Sequence, residues 1–254
     1  MNPVQRHAWL GSGAVFAGFI ALWWAASHAG WISRVFLPTP EATLASLQEG
    51  LAAGGELAAF TLATTVRMLQ GWLLASLAGV ALGALIGISP TARAYLQPTL
   101  EFVRPLPASA LLPLAIAMFG LSPGMVLFVV AFGAMWPVLL ATVHGFAAVE
   151  PRLVEVARCL QLRRSAFVWK VGLPNALPDI LAGMRLSLTV SLIVSVVGEM
   201  IASQPGLGQA ILLAARAFRA SELFAGIVLL GVIGFVSNAL LAYAERHLLN
   251  WQSP

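Results

Sequence analysis

The sequence contains little charge: charged residues occupy 9% of its 254 positions, whereas hydrophobic residues occupy 59%. An ordinary soluble domain has about 25% charged residues. The chain therefore has too little polar surface to cover a water-soluble globule, and its composition predicts a membrane protein. Because apolar segments that cross lipid must satisfy their own backbone hydrogen bonds, we expect an all-α polytopic fold in one domain, residues 1–254.

Other absences exclude whole classes of function. The single cysteine, Cys159, rules out an intrachain disulfide, and four widely separated histidines suggest no metal-ligand cluster. The only lysine, Lys170, does not lie in a G-x-x-x-x-G-K-[ST] loop, so the chain lacks the phosphate-binding loop of an ATPase. The basic residues are scattered among apolar runs, which argues against nucleic acid as a partner. We expect no catalytic residue, no metal and no cofactor bound by this chain.

Long apolar segments are what the sequence does contain. Six of them are long enough to cross the hydrocarbon layer of a membrane. The first follows Arg6 and is too long for a signal peptide, so we interpret it as an uncleaved anchor. The third is interrupted by Pro105, Pro107 and Pro113 and has a short clean apolar part. The predicted spans are 8–27, 68–87, 102–120, 122–143, 177–201 and 223–244.

The distribution of basic residues predicts the orientation of the chain. With the N-terminus inside, nine of them fall in cytoplasmic connections and three outside, which agrees with the positive-inside rule and places both termini in the cytoplasm. Between the first two spans, Thr39, Pro40 and Glu41 predict the start of a short external helix. The inside set is Arg6, Arg93, Arg104, Arg152, Arg158, Arg163, Arg164, Lys170 and Arg246, and the outside set is Arg34, Arg216 and Arg219.

Two spans carry small residues at intervals of four. In the second span, Gly79, Gly83 and Gly87 predict a face that packs closely against another helix. The stripe in the fifth span is more polar and ends in a carboxylate, so it faces protein or water. Two interpretations stay open: a helix-packing face, or the lining of a translocation path. Its members are Gly183, Ser187, Ser191, Ser195 and Glu199.

The connection between the fourth and fifth spans, residues 150–173, is polar and helix-prone in a chain whose other loops are short. Such a segment is typical of a docking surface. Its apolar residues share one helical face, which could enter a groove of a soluble partner. A basic loop held by anionic lipid headgroups is the alternative. The apolar residues are Leu153, Val156, Ala157 and Leu160.

This segment resembles the EAA loop of binding-protein-dependent ABC importer permeases, through Glu155-Val156-Ala157 and the closing Leu173-Pro174. Further stretches are similar to the nitrate, sulfonate, taurine and bicarbonate branch of that family. One position departs from the family pattern, because Gln161 stands where a glycine is usual. Glycine there would suit a turn at positive φ. The other similar stretches are Arg104-Pro105-Leu106-Pro107, Ala110-Leu111, Pro113-Leu114, Phe119-Gly120, Gly198-Glu199-Met200 and Gly206-Leu207-Gly208.

The resemblance implies a type I ABC importer permease in the bacterial inner membrane. Its implied partners are two ATPase subunits that hold ATP and magnesium, a second permease copy forming a homodimer, and a periplasmic or lipid-anchored solute-binding protein. The implied ATPase-coupling residues are Glu155, Val156, Ala157, Leu160, Gln161, Leu173 and Pro174. The implied cargo is a small anion: a sulfonate such as taurine, with nitrate and bicarbonate as alternatives.

Two other classes of function remain to be separated from the importer. An ion-coupled secondary transporter usually shows internal repeats, and the two halves of this chain show no convincing repeat. An intramembrane serine protease needs a histidine beside its serine. We expect His144 at the cytoplasmic end of the fourth span, away from any candidate serine.

Overall fold

The computed structural model describes residues 3–30 and 32–249, apart from the side chains of residues 3–10 and 164. The described part is helical and contains no strand. Arg6 and Arg164, which the predicted orientation counts as cytoplasmic, have side chains outside the described part. The helices are α1 (Pro3–His28), α2 (Pro40–Leu51), α3 (Leu57–Ile88), α4 (Pro90–Val103), α5 (Leu112–Phe119), α6 (Pro123–Ala147), α7 (Pro151–Cys159), α8 (Arg164–Phe167), α9 (Leu173–Ala202), α10 (Leu207–Arg216) and α11 (Ala220–Leu248).

Four helical segments of the described chain are long and apolar enough to cross a membrane: 57–88, 123–147, 165–202 and 220–248. They confirm the second, fourth, fifth and sixth predicted spans. The first predicted span lies within α1, a helix of 26 residues that reaches about 39 Å, although the side chains of its first residues lie outside the described part. The predicted helical class of the protein is therefore confirmed.

The third predicted span, 102–120, is wrong as a straight helix. Helix α4 ends at Val103, a short 3-10 turn covers 108–111, and the helical segment 108–119 runs at 83° to α4. Pro105 and Pro107 lie in the break. Proline removes a backbone donor and disfavours the helical conformation of the residue before it, so two prolines this close end the helix and turn the chain.

The centre of the molecule is a tight packing of α3, α6 and α9. Gly79, Gly83 and Gly87 are buried on the side of α3 that faces α6. A Cβ atom at Gly83 would come within 2.6 Å of the Thr142 Cβ and 2.8 Å of the Leu139 carbonyl oxygen. These glycines therefore let the two backbones approach closely, which confirms the packing role that their spacing predicts.

The short helix predicted to start near Thr39 is also confirmed. Helix α2 begins at Pro40, and the Thr39 side chain accepts a hydrogen bond of 3.2 Å from the backbone N–H of Ala42. Two tryptophans of α1 fix the approach of α2, because Trp23 Nε1 donates to the Pro38 carbonyl and Trp24 Nε1 donates to Glu41 Oε1. The end of α1 and the start of α2 are thus joined by hydrogen bonds from two tryptophan side chains.

Candidate functional sites

Helix α7 in the 150–173 segment has one face turned to the protein and one turned away. Leu153, Val156 and Leu160, spaced three and four residues apart, are 43%, 53% and 67% exposed. Ala157 is only 6% exposed and lines a cavity of about 460 Å³ between α7 and the turn that joins α3 to α4. Three apolar side chains therefore project outward from a polar segment.

The position of Ala157 differs from the expectation that it shares the outward face with Val156 and Leu160. A helix turns 100° per residue, so the neighbour of an outward Val156 is carried to the protein side. Glu155 is exposed and forms no ion pair with any described residue. The carboxylate is therefore accessible to another molecule.

Gln161 ends α7 in the left-handed conformation, with φ of 49°. The backbone N–H of Gln161 donates to the Arg158 carbonyl, and the N–H of Leu162 donates to the Ala157 carbonyl at 3.0 Å. This pair of bonds is the Schellman arrangement, which favours glycine at the left-handed position. The turn is therefore the one that glycine would suit, and the glutamine side chain occupies it at a steric cost of about 1–2 kcal/mol.

Beyond this turn the chain continues into the membrane helix without a break. Helix α8 leads into a π-helical turn, Val168–Gly172, and then into α9. Leu173 and Pro174 form the first turn of α9, with Leu173 half-buried and Pro174 exposed. The segment 165–202 is thus a single helical run of 38 residues, about 57 Å long, that starts in the 150–173 segment.

The polar stripe of α9 is buried inside the chain. Ser187, Ser191, Ser195 and Glu199 have no exposed surface, and Ser187 Oγ donates to the Ala134 carbonyl of α6 at 2.7 Å. Ser191 donates to the carbonyl of Ser187 in its own helix. In this conformation the stripe therefore lies between helices and contacts other parts of the same chain.

Glu199 is the centre of a junction between three helices. Its carboxylate pairs with Arg67 of α3 and accepts hydrogen bonds from Thr64 Oγ1 at 3.0 Å and from the Gly208 N–H of α10 at 2.9 Å. Thr64 Oγ1 also accepts the N–H of Leu207 at 2.9 Å. Both carboxylate oxygens thus meet donors, which is what a carboxylate without exposed surface requires. We call these five residues the outer junction.

Two glycines make room for this carboxylate. A Cβ atom at Gly206 would overlap the Glu199 Oε2 atom, and one at Gly208 would overlap the Val196 carbonyl oxygen. The Gly206-Leu207-Gly208 sequence therefore lets the start of α10 press against the end of α9. Both motifs that the resemblance identified at the end of the chain, Gly198-Glu199-Met200 and Gly206-Leu207-Gly208, meet here.

The other ionisable residues of α9 also have partners. Arg185 pairs with Glu245 of α11, and Asp179 Oδ2 lies 3.6 Å from His144 Nδ1 of α6. His144 is in the last turn of α6, as predicted, and is 75% exposed. The sequence alone did not identify Thr64 or Arg67 as parts of a site, because a threonine and an arginine in an otherwise apolar helix carry no spacing that points to Glu199, 135 and 132 residues away.

Comparison with known proteins identifies the family of this bundle. Residues 75–250 match the model of the binding-protein-dependent transport system inner membrane component. The chain belongs to this family, so it is an inner-membrane component of a transport system. The match includes α7, the turn at Gln161, α9 and α10, and hence most of the two sites described above.

Individual relatives match along nearly the whole chain. It is 34% identical to the putative aliphatic sulfonates transport permease protein SsuC of Bacillus subtilis, over 98% of this chain and 90% of that protein. It is 30% identical to the taurine transport system permease protein TauC of Escherichia coli, over 98% and 92%. A solved structure, an amino acid ABC transporter with histidines, has the same fold with a TM-score of 0.59 and 22% identity, covering 75% of this chain and 93% of that one.

Proposed function

We propose that this chain is the permease subunit of an ATP-driven importer for a small organic anion, and that α7 transmits the action of a separate ATPase to it. The exposed apolar face of α7 carries the proposal. Leu153, Val156 and Leu160 project from a helix that begins and ends in polar sequence, which is a typical arrangement for a helix that enters a groove of a soluble partner. The protein neither binds ATP nor hydrolyses it in this scheme.

The proposed assembly has two copies of this chain and two copies of the ATPase, with the binding protein on the opposite side of the membrane. The basic residues of the connections favour the side on which α7 and both termini lie as the cytoplasmic side. The family description, an inner-membrane component of a binding-protein-dependent system, supports the need for an ATPase and a binding protein. Identical permease copies are the simplest arrangement for one such chain.

Movement of α7 would reach the membrane through α9. When ATP draws the ATPase pair together, each groove would displace α7, and the continuous helix 165–202 would tilt with it. Tilting α9 moves the helices packed on it, α3 and α6, and alternates the exposure of a path between the two permease copies. Glu155, Gln161, Leu173 and Pro174 would set the position of α7 relative to α9.

The cargo is proposed by similarity. Two relatives that match 98% of this chain are described as permeases for aliphatic sulfonates and for taurine, and the bicarbonate permease CmpB of Synechococcus elongatus matches 74% of it at 29% identity. Sulfonates are therefore the first cargo to test, and bicarbonate and nitrate the next. The chain's own network offers no free cation in the outer junction, since Arg67 pairs with Glu199.

The experiment is ATP hydrolysis and uptake by the reconstituted complex of this chain, its co-purifying ATPase and its binding protein. Taurine, an alkanesulfonate, nitrate and bicarbonate are compared as stimulating anions. We expect one sulfonate to stimulate hydrolysis, and Glu155→Ala to abolish the stimulation while the subunits still assemble. Glu101→Ala, which removes an exposed carboxylate that accepts a hydrogen bond from Gln97 of its own helix, is the matched control.

Two results would contradict the proposal. If no ATPase co-purifies and Glu155→Ala transports normally, an ion-coupled transporter replaces the importer. If hydrolysis is stimulated equally in the wild type, Glu155→Ala and Glu101→Ala, the complex is an importer but this carboxylate has no part in coupling.

A further inference from the structure

The outer junction holds α10 by its first turn. The backbone N–H groups of Leu207 and Gly208 lie in the first turn of α10 and so have no acceptor within that helix. The Leu207 N–H donates to Thr64 Oγ1 of α3, and the Gly208 N–H donates to the Glu199 carboxylate of α9. Leu207, Gly208, Ile211 and Ala214 form the buried face of α10. Helix α10 is thus attached at its first turn to α3 and α9 by buried polar bonds, in addition to its apolar contacts.

Thr64 is the link that closes this network. Its single hydroxyl donates to the Glu199 carboxylate and accepts from Leu207, so it bridges α9 and α10 from α3. The neighbouring threonines of α3 differ: Thr61 donates to the Leu57 carbonyl and Thr65 to the Thr61 carbonyl, both within the same helix. Of these three threonine hydroxyls, the one of Thr64 therefore connects helices that are distant in sequence.

The helix that ends in this junction begins in the 150–173 segment. Residues 165–202 form one helical run, and Glu199 lies in its last turn. A displacement at the start of a continuous helix is carried along its length. Movement imposed near α7 is thus delivered to the point where α10 is attached.

We propose that Thr64 is a positioning residue for transport: its two hydrogen bonds make α10 move together with α9 when the nucleotide state of the ATPase changes. The inference rests on the proposed function, since it needs an ATPase that moves α7. It assigns the Thr64–Glu199–Arg67 network a purpose beyond stability, namely the transmission of movement to α10.

The test reports on α10 directly. Cys159, the only cysteine of the chain, is exposed and is replaced by serine. A new cysteine is placed by Leu213→Cys, a position of α10 that is 49% exposed and lines an outer cavity of about 400 Å³. In the assembled complex, the labelling rate of this cysteine by a water-soluble maleimide is measured without nucleotide and with ATP and vanadate.

We expect the labelling rate in the parent complex to differ between the two states, and Thr64→Val to lose most of this difference, because only the Gly208–Glu199 hydrogen bond then joins the first turn of α10 to α9. Thr64→Ser keeps the hydroxyl and should retain it, and Thr61→Val, whose hydroxyl serves only its own helix, should retain it as well. All variants are compared at equal ATPase content after purification, so that a folding defect appears as lost assembly.

Three results overturn the inference. The parent complex could show no nucleotide-dependent labelling at 213, Thr64→Val could keep the full difference, or Thr64→Ser could lose it as completely as valine does. None of them bears on whether an ATPase assembles with this chain, so they leave the importer proposal to its own experiment.

Discussion

The outer junction buries polar and charged groups, whereas the 150–173 segment exposes apolar side chains. At the outer junction, a carboxylate without exposed surface has an arginine, a hydroxyl and a backbone N–H as partners. In the 150–173 segment, three large apolar side chains are exposed and Glu155 has no partner among the described residues. The first region is complete within one chain, whereas the second has contacts left for another molecule.

This difference predicts where substitutions will unfold the protein and where they will leave it folded but separate it from its ATPase partner. A buried network loses much stability when one member is removed, because the remaining members are left unsatisfied. An exposed helix face loses little stability, because water already contacts it.

Glu199→Ala should destabilise the chain by about 3–5 kcal/mol, since it leaves the largely buried Arg67 guanidinium without its counter-charge. The measurement is the midpoint of thermal unfolding in one detergent. Glu245→Ala is the matched control, because its partner Arg185 is 45% exposed and such pairs contribute less than about 1 kcal/mol. Equal losses in the two variants would mean that the outer junction is not specially stabilising.

Gly208→Ala should destabilise the chain by about 1–3 kcal/mol, because the added Cβ would overlap the Val196 carbonyl oxygen and push α10 away from α9. The comparison is Gly231→Ala in α11, where a Cβ meets nothing within 4 Å. There the substitution should be neutral or slightly stabilising, because alanine favours a helix by roughly 0.5–1 kcal/mol over glycine. A neutral Gly208→Ala would show that the close approach of α10 is dispensable.

Gln161→Gly should stabilise the chain by about 0.5–1 kcal/mol. Glycine removes the steric cost of the left-handed conformation, roughly 1–2 kcal/mol. Part of this stabilisation is offset, because glycine loses more conformational entropy on folding than glutamine does. The same denaturation assay detects this as a small upward shift, and Leu162→Gly, just beyond the left-handed position, should not produce it. A destabilised Gln161→Gly variant would imply that the glutamine side chain makes a contact worth more than the strain.

Val156→Asp should change the stability by less than about 0.5 kcal/mol, because the side chain is already half exposed. The same variant should abolish co-purification of the ATPase, because a charge would replace an apolar contact in the groove. Arg152→Asp at the start of α7 serves as the control for added negative charge. If Val156→Asp unfolds the chain instead, the face is an internal one.

Much of the fold could be predicted from the sequence, because lipid imposes strong patterns. Apolar runs long enough to cross a membrane gave four spans correctly, and Thr39-Pro40 gave the start of α2. The third span failed, since a hydropathy pattern does not report the angle at Pro105 and Pro107. In place of one helix over 102–120 the structure has two helical segments at 83°, because the prolines bend the backbone without changing the hydropathy of the segment.

The sites show a sharper limit. The spacing of Ser187, Ser191, Ser195 and Glu199 placed them on one face, but periodicity does not state what covers that face. The answer depends on Thr64, Arg67 and Ala134, which lie on other helices. Likewise, the pattern grouped Ala157 with Val156 and Leu160, whereas in the structure Ala157 faces the α3–α4 turn. Contacts between distant segments are where a single sequence contains the least information.

Crosslinking of α7 to the ATPase at two adjacent positions tests directly whether the exposed face of α7 contacts the ATPase. In a chain with Cys159→Ser, Val156→Cys and Ala157→Cys are each treated with a short bifunctional thiol reagent in the assembled complex. We predict a crosslink to the ATPase from position 156, which is 53% exposed, and none from position 157, which is 6% exposed. A crosslink from 157 alone, or from neither position in a complex that hydrolyses ATP, would contradict the assignment of the outward face of α7 as the ATPase contact.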